Sequence, residues 1–219
     1  MAVSSSDDRG AREQILANVR SAVKKIAPRK QVAVARPIFS AIEEDLVARF
    51  RTEAAANYIE VMLTENTNET ADTLRKIVES LPAGEVFMQD TSELRAMAAT
   101  ATGERVVQWS SDSGPPEASQ AAVSRCEALV AMTGSIMVSS GNCGGRGASV
   151  VAPCHIVIAN SDQLLPDLES AMARAREIAF DNSFVGLITG CSRTSDIEKL
   201  LVIGAHGPRQ VVVILQASS

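Results

Sequence analysis

Aromatic residues are scarce: one tryptophan, one tyrosine and five phenylalanines in 219 residues, 3% of the chain. The core must therefore be aliphatic and alanine-rich, and the 46% hydrophobic content supplies enough for one well-buried core. Long apolar runs are missing too. None approaches the ~20 residues that span a bilayer, and residues 1–14 are polar, with no apolar signal segment. No membrane association is expected, and the expected location is the cytoplasm. Positive charge is not in excess: 21 Lys and Arg stand against 26 Asp and Glu, a net of −5. That argues against a nucleic-acid binder, which needs a broad basic surface. The four cysteines, Cys126, Cys143, Cys154 and Cys191, have no regular spacing and are expected to be free thiols. Neither they nor the two histidines show C-x₂-C or H-x₃-H spacing, so no metal site is expected.

The charge is uneven. Residues 1–36 hold eight Lys and Arg and three Asp and Glu, while the rest hold thirteen and twenty-three. This predicts a basic N-terminal helix and linker arm over 1–36 and a single α/β domain over 37–219. The arm suits docking on an acidic partner or packing in a homo-oligomer; it reads equally as a solvated amphipathic helix.

Ile15, Val19, Val23 and Ile26 recur at helical spacing, so a helix is expected over 7–27, stopped by Pro28. Ser40 and Glu43 form a capping box opening a helix to about Ala56. Strands are then expected at 58–63, 85–89, 105–109, 155–159, 184–188 and 210–216. Helices are expected at 67–81, 91–100, 117–124 and from Asp162 to about Ile178. Residues 128–131 and 135–139 are separated only by Met132, Thr133 and Gly134, too few for a helical crossover. They read as a hairpin or bend inserted in the sheet. The alternation of strand and helix predicts a largely parallel sheet with helices on both faces.

Two polar stretches stand out. Residues 189–208 (TGCSRTSDIEKLLVIGAHGP) join two apolar runs that read as buried strands, where α/β proteins place ligands. Gly190 allows a tight turn. Ser192, Arg193 and Thr194 suit a small anion, Asp196 caps a following turn, and His206, between glycines, is a candidate proton relay. The same residues also fit an ordinary capped strand-to-helix connection. Residues 139–147 (SSGNCGGRG) gather Ser139, Ser140, Gly141, Gly145 and Arg146. Convergent N–H groups beside an arginine suit a carboxylate or phosphate, and a flexible surface loop fits equally. The spacing matches neither a Walker loop nor a Rossmann fingerprint. Cys143 beside Arg146 suits a lowered thiol pKa. His155 reads as partly buried and satisfied by a backbone group. Glu127 and Glu198 are the acids nearest these loops, in no recognisable pairing.

Taken together, Thr133-Gly134-Ser135, residues 139–147 with Pro153 and His155, and S-R-T-x-D-I-E followed by G-x-H-G-P resemble the lactate utilization protein C family, also called the LUD domain. The motifs cover the C-terminal half; the N-terminal half agrees in layout. The resemblance implies a three-layer α/β/α sandwich with a mostly parallel central sheet, like the ribose-phosphate isomerase and CoA-transferase group. It also implies a part in oxidising L-lactate to pyruvate beside two iron–sulfur sister proteins. The family's C component lacks the cysteine clusters of those partners, as does this chain, so no cofactor is expected within it. Cys191 stands where the family usually has proline, and Met132 where an acid usually precedes Thr133.

The expected role is an accessory, small-anion-binding subunit. The ligand would lie between the two loops, held by Thr133, Gly134, Ser139, Ser140, Gly141, Gly145, Arg146, Gly190, Ser192, Arg193, Thr194, Asp196 and His206. The alternatives are a free-standing enzyme with isomerase- or CoA/acyl-transfer-like chemistry, and a scaffold with a vestigial pocket.

Overall fold

The computed structural model describes residues 7–25, 45–112, 119–191, 193–194, 202–203 and 207–218. The chain divides into two units, 1–39 and 40–219. The first carries the helix α1 (Asp7–Lys25), which begins at Asp7 as expected; residues 26 and 27 lie outside the described residues.

The second unit opens with α2 (Leu46–Ala56), β1 (Ile59–Thr64), α3 (Thr67–Ser80), β2 (Glu85–Met88), α4 (Ser92–Ala101) and β3 (Val107–Trp109). Next come β4 (Ser119–Arg125), β5 (Ala128–Val130), β6 (Ser135–Ser139), β7 (Cys154–Asn160) and β8 (Leu164–Leu165). It closes with α5 (Leu168–Ile178), β9 (Val185–Ile188), β10 (Arg193–Thr194), β11 (Val202–Ile203) and β12 (Gln210–Gln216). The capping box at Ser40 and Glu43 lies outside the described residues. Asp45 caps α2, its carboxylate accepting the N–H groups of Val47 and Ala48 at 2.9 and 3.3 Å.

The central sheet has six strands in the order β1-β12-β7-β4-β2-β3, and every pairing in it is parallel. Helices flank it, as the alternation predicts. On one face, Leu74, Ile77 and Val78 of α3 and Leu94 and Met97 of α4 cover Val86, Val123, Ile156, Val212 and Ile214. These α3 residues recur at helical spacing, so one face of the helix is apolar. On the other face, Phe50 and Ala54 of α2 pack with Phe87, Val157, Val211 and Val213.

The hairpin β5–β6 is not inserted in this sheet. It begins a second sheet, β8-β5-β6-β9. One side of that sheet joins the α2 core through Leu129, Ile136 and Val138. The other packs Ala128, Val130 and Met137 on Ala171 of α5.

Three further expectations are corrected. Residues 119–125 form the central strand β4, not a helix. Ser and Ala carry little β preference, but flanking strands and layers bury Ser119 and Ala121–Ser124, and burial on both faces overrides local propensity. The helix expected from Asp162 starts at Asp167, whose side chain accepts the Ser170 N–H at 2.8 Å. Residues 164–165 are held extended instead by pairing with β5. The run before the 189–208 stretch is a half-buried edge strand, not a buried one.

Candidate functional site

The C-terminal end of α2 gathers two segments distant in sequence. Asn57 closes the helix: its N–H reaches the carbonyls of Glu53 and Ala54 at 3.2 and 3.0 Å. Its side-chain amide donates to the carbonyl oxygens of Glu53 at 2.9 Å and Thr133 at 3.0 Å. Tyr58 follows at φ 61°, the left-handed turn that ends many helices. The β5–β6 turn rests on this end. Gly134 has φ +62°, and a Cβ on it would stand 2.3 Å from the Ala54 nitrogen. The exit of β9 rests there too: a Cβ on Gly190 would stand 2.4 Å from the Asn57 carbonyl oxygen. Only glycine lets both backbones approach so closely. The Cys191 thiol lies 3.6 Å from the Tyr58 carbonyl oxygen.

Antiparallel pairing of Ile136 with Ile188 sets Ser135 beside Thr189. Their hydroxyls meet at 2.7 Å, and Ser135 also meets the Thr133 hydroxyl at 2.7 Å. Ser135 is buried and Thr189 exposed. The three hydroxyls thus form a chain in which buried Ser135 links half-buried Thr133 to exposed Thr189. A hydroxyl donates once and accepts twice, so the chain can present either a proton or a lone pair at Thr189. Beyond it, Arg193 pairs with Ile203 and Thr194 with Val202; the chain doubles back. Ser192, Asp196, Glu198 and His206 lie outside the described residues.

The glycine loop leaves the opposite end of the same strand pair. Ser139 faces Val185, and four strand steps, about 13 Å, separate it from Ser135. The loop's donors are turned to protein acceptors. The Gly141 N–H reaches Asn182 Oδ1 at 2.8 Å, the Asn142 N–H reaches Ser139 Oγ at 3.1 Å, and the Gly145 N–H reaches the Ser140 carbonyl at 3.2 Å. The Ser140 hydroxyl lies 3.2 Å from Asn182 Oδ1. Arg146 donates to the Ser183 carbonyl at 2.8 Å and lies over the Phe184 ring at 5.8 Å. Among the described residues, no hydrogen bond joins this loop to Thr133, Gly134 or Gly190. Ser139 and Ser135 thus mark the two ends of the β6 strand that pairs with β9. The loop is not a loose surface turn: Cys143, Ala148 and Ala152 are buried in the α2-side core.

The sequence named Glu127 without a role. Its side chain is only 5% exposed. It accepts from Ser139 Oγ at 2.6 Å and Asn142 Nδ2 at 2.7 Å, with the Arg174 guanidinium of α5 at 3.5 Å. It pins the glycine loop and α5 to the start of β5. Glu127→Ala leaves these donors without an acceptor and is expected to lower stability by about 2 kcal/mol. Arg174→Ala is expected to cost under about 1 kcal/mol, because Arg174 is 44% exposed. Urea unfolding of the two variants checks the order.

His155 is fully buried, not partly, and its partner is a side chain: Nε2 lies 2.9 Å from Ser124 Oγ. Its Nδ1 has no partner among the described residues. Burial pushes its pKa down to about 4. Cys143, 3.9 Å from Ser124 Oγ, is pushed up to about 11 by burial. This corrects the expectation of an activated thiol: desolvation disfavours the thiolate more than nearby donors favour it. All four cysteines are free.

Comparison with known proteins places these features. The family model described as LUD domain matches residues 47–216. A protein from an Exiguobacterium species named lactate utilization protein C is 26% identical over 206 residues, covering 87% of this chain and 88% of the relative. The Bacillus subtilis protein of the same name is 24% identical over 189 residues, covering 78% of each chain. Among solved structures, a DUF162 family protein from Deinococcus radiodurans superposes with a TM-score of 0.62 at 15% identity, over 78% of this chain and 96% of that one; it shares the fold.

Proposed function

The chain belongs to the LUD domain family, and from that premise we propose that it serves lactate utilization as an accessory subunit that binds a small carboxylate beside iron–sulfur partner proteins. Two relatives bearing the name lactate utilization protein C span most of this chain, which supports the process. The hydroxyl chain carries the choice of site. Thr133, Ser135 and Thr189 are linked at 2.7 Å steps, and their backbones are clamped on Asn57. In this reading Thr189 donates to the carboxylate, Arg193 supplies the charge, and His206 relays a proton. Lactate and pyruvate each carry one carboxylate and one further oxygen, matching a cation beside a hydroxyl donor.

Calorimetry with L-lactate and pyruvate tests the site. Arg193→Ala is expected to weaken binding at least about tenfold, the scale of losing a charge-assisted hydrogen bond; unchanged affinity removes Arg193 from it. Deleting the gene is expected to abolish growth on L-lactate and spare growth on pyruvate. Turnover of either compound by the purified chain alone would favour a free-standing enzyme over an accessory subunit.

A further inference from the structure

Tyr58, the only tyrosine in the chain, is also the only residue other than glycine with a positive φ among the described residues. A side chain at φ 61° crowds its own backbone, and the residue that turns this way after a helix is usually glycine. Gly134 and Gly190, packed on the same helix end, follow that preference, since a Cβ on either would strike the backbone of α2 or of Asn57. Packing does not explain the exception at 58. Tyr58 is 66% exposed and joins none of the apolar clusters, so little burial offsets the strain. Strain kept without burial points to a side chain retained for contact with a ligand.

Tyr58 sits at the same corner as the hydroxyl chain. Its carbonyl oxygen faces the Cys191 thiol at 3.6 Å. Asn57, the residue before it, holds the Thr133 carbonyl at 3.0 Å. Gly190, packed on Asn57, directly follows Thr189. Thr189 is exposed, so an acid bound on its hydroxyl is open to water on one side, and water weakens every polar contact it reaches.

Taking the carboxylate site above as given, we propose that Tyr58 is its specificity residue: the ring covers the bound acid and selects one with an apolar group on the carbon next to the carboxylate. Lactate and pyruvate carry a methyl group there, whereas glycolate and glyoxylate carry only hydrogen. A tyrosine offers a large, rigid apolar face at the entropic cost of two torsions. Glycine, which the backbone prefers at this position, offers none.

Calorimetry on the full chain with L-lactate and glycolate tests the assignment. The wild type is expected to bind L-lactate about tenfold more tightly than glycolate, the scale set by one methyl group in an apolar contact. Tyr58→Phe keeps the ring face and is expected to keep that ratio. Tyr58→Gly is expected to reduce it to under about threefold, and to raise the urea midpoint by relieving the strain. Arg193→Ala is expected to weaken both acids by the same factor. The role of Tyr58 is overturned by equal affinity for the two acids in the wild type, by an unchanged ratio in Tyr58→Gly, by a ratio lost in Tyr58→Phe, or by a lowered urea midpoint in Tyr58→Gly. Each of these leaves the carboxylate site standing if Arg193→Ala still weakens L-lactate. Binding of neither acid to the wild type overturns both.

Discussion

Gly134→Ala is expected to lower the unfolding free energy by about 3 kcal/mol, the sum of two effects. An alanine held at φ +62° is disfavoured by roughly 1 kcal/mol. The added methyl would also stand 2.3 Å from the Ala54 nitrogen and 2.4 Å from the Glu53 carbonyl carbon. Both are helix backbone and cannot rotate away, so the β5–β6 turn must lift off α2. That lift also breaks the Asn57 bond to the Thr133 carbonyl and misaligns Thr133 with Ser135. Gly103 is the control: φ +59° with nothing within 4 Å, so its alanine variant carries only the conformational cost, about 1 kcal/mol. Urea unfolding of the two variants separates strain from collision. Equal losses would show that the turn does not rest on α2 in solution. Lactate or pyruvate binding is expected to fall with Gly134→Ala and to survive Gly103→Ala.

Acid is expected to remove a comparable amount through one buried ring. His155 has its pKa pushed from 6.5 to about 4 by burial. The folded imidazole therefore binds its proton more weakly than the unfolded one. The stability it protects is complete above about pH 6.5 and is lost as pH falls toward 4. A difference of about 2.5 units corresponds to roughly 3 kcal/mol across that window. Asp90 does not compete there. Hydrogen bonds from Arg95 and Ser111 hold its carboxyl near 2, so its contribution is lost only at lower pH. His155→Gln keeps a polar group toward Ser124 and cannot titrate. Its urea midpoint is expected to change less than the wild type's between pH 6.5 and 4. Parallel curves for the two proteins would place the ionising group elsewhere.

Periodic signals located most of the domain's elements. The apolar face of α3, the run that became β12 and the alternation of strand and helix are local properties, readable over a few residues. The motif residues Thr133, Gly134 and Gly190 marked the site for a physical reason: close backbone approach admits only glycine. Asn57 left no such mark. It reads as an ordinary helix end, and its role exists only because two turns from elsewhere land on it. Glu127 is similar, since its burial depends on α5 and the glycine loop arriving together.

By itself, then, the amino-acid order determined the α/β class, the parallel sheet and the family, through periodicity, turn chemistry and motif. Tertiary structure alone decided that residues 119–125 are a central strand, because burial between two layers outweighs the weak preferences of serine and alanine. It also decided that Ser135 and Thr189, far apart in sequence, are neighbours. Strand register sets which residues are neighbours across a sheet, and register between β6 and β9 is a property of pairing that neither segment carries alone.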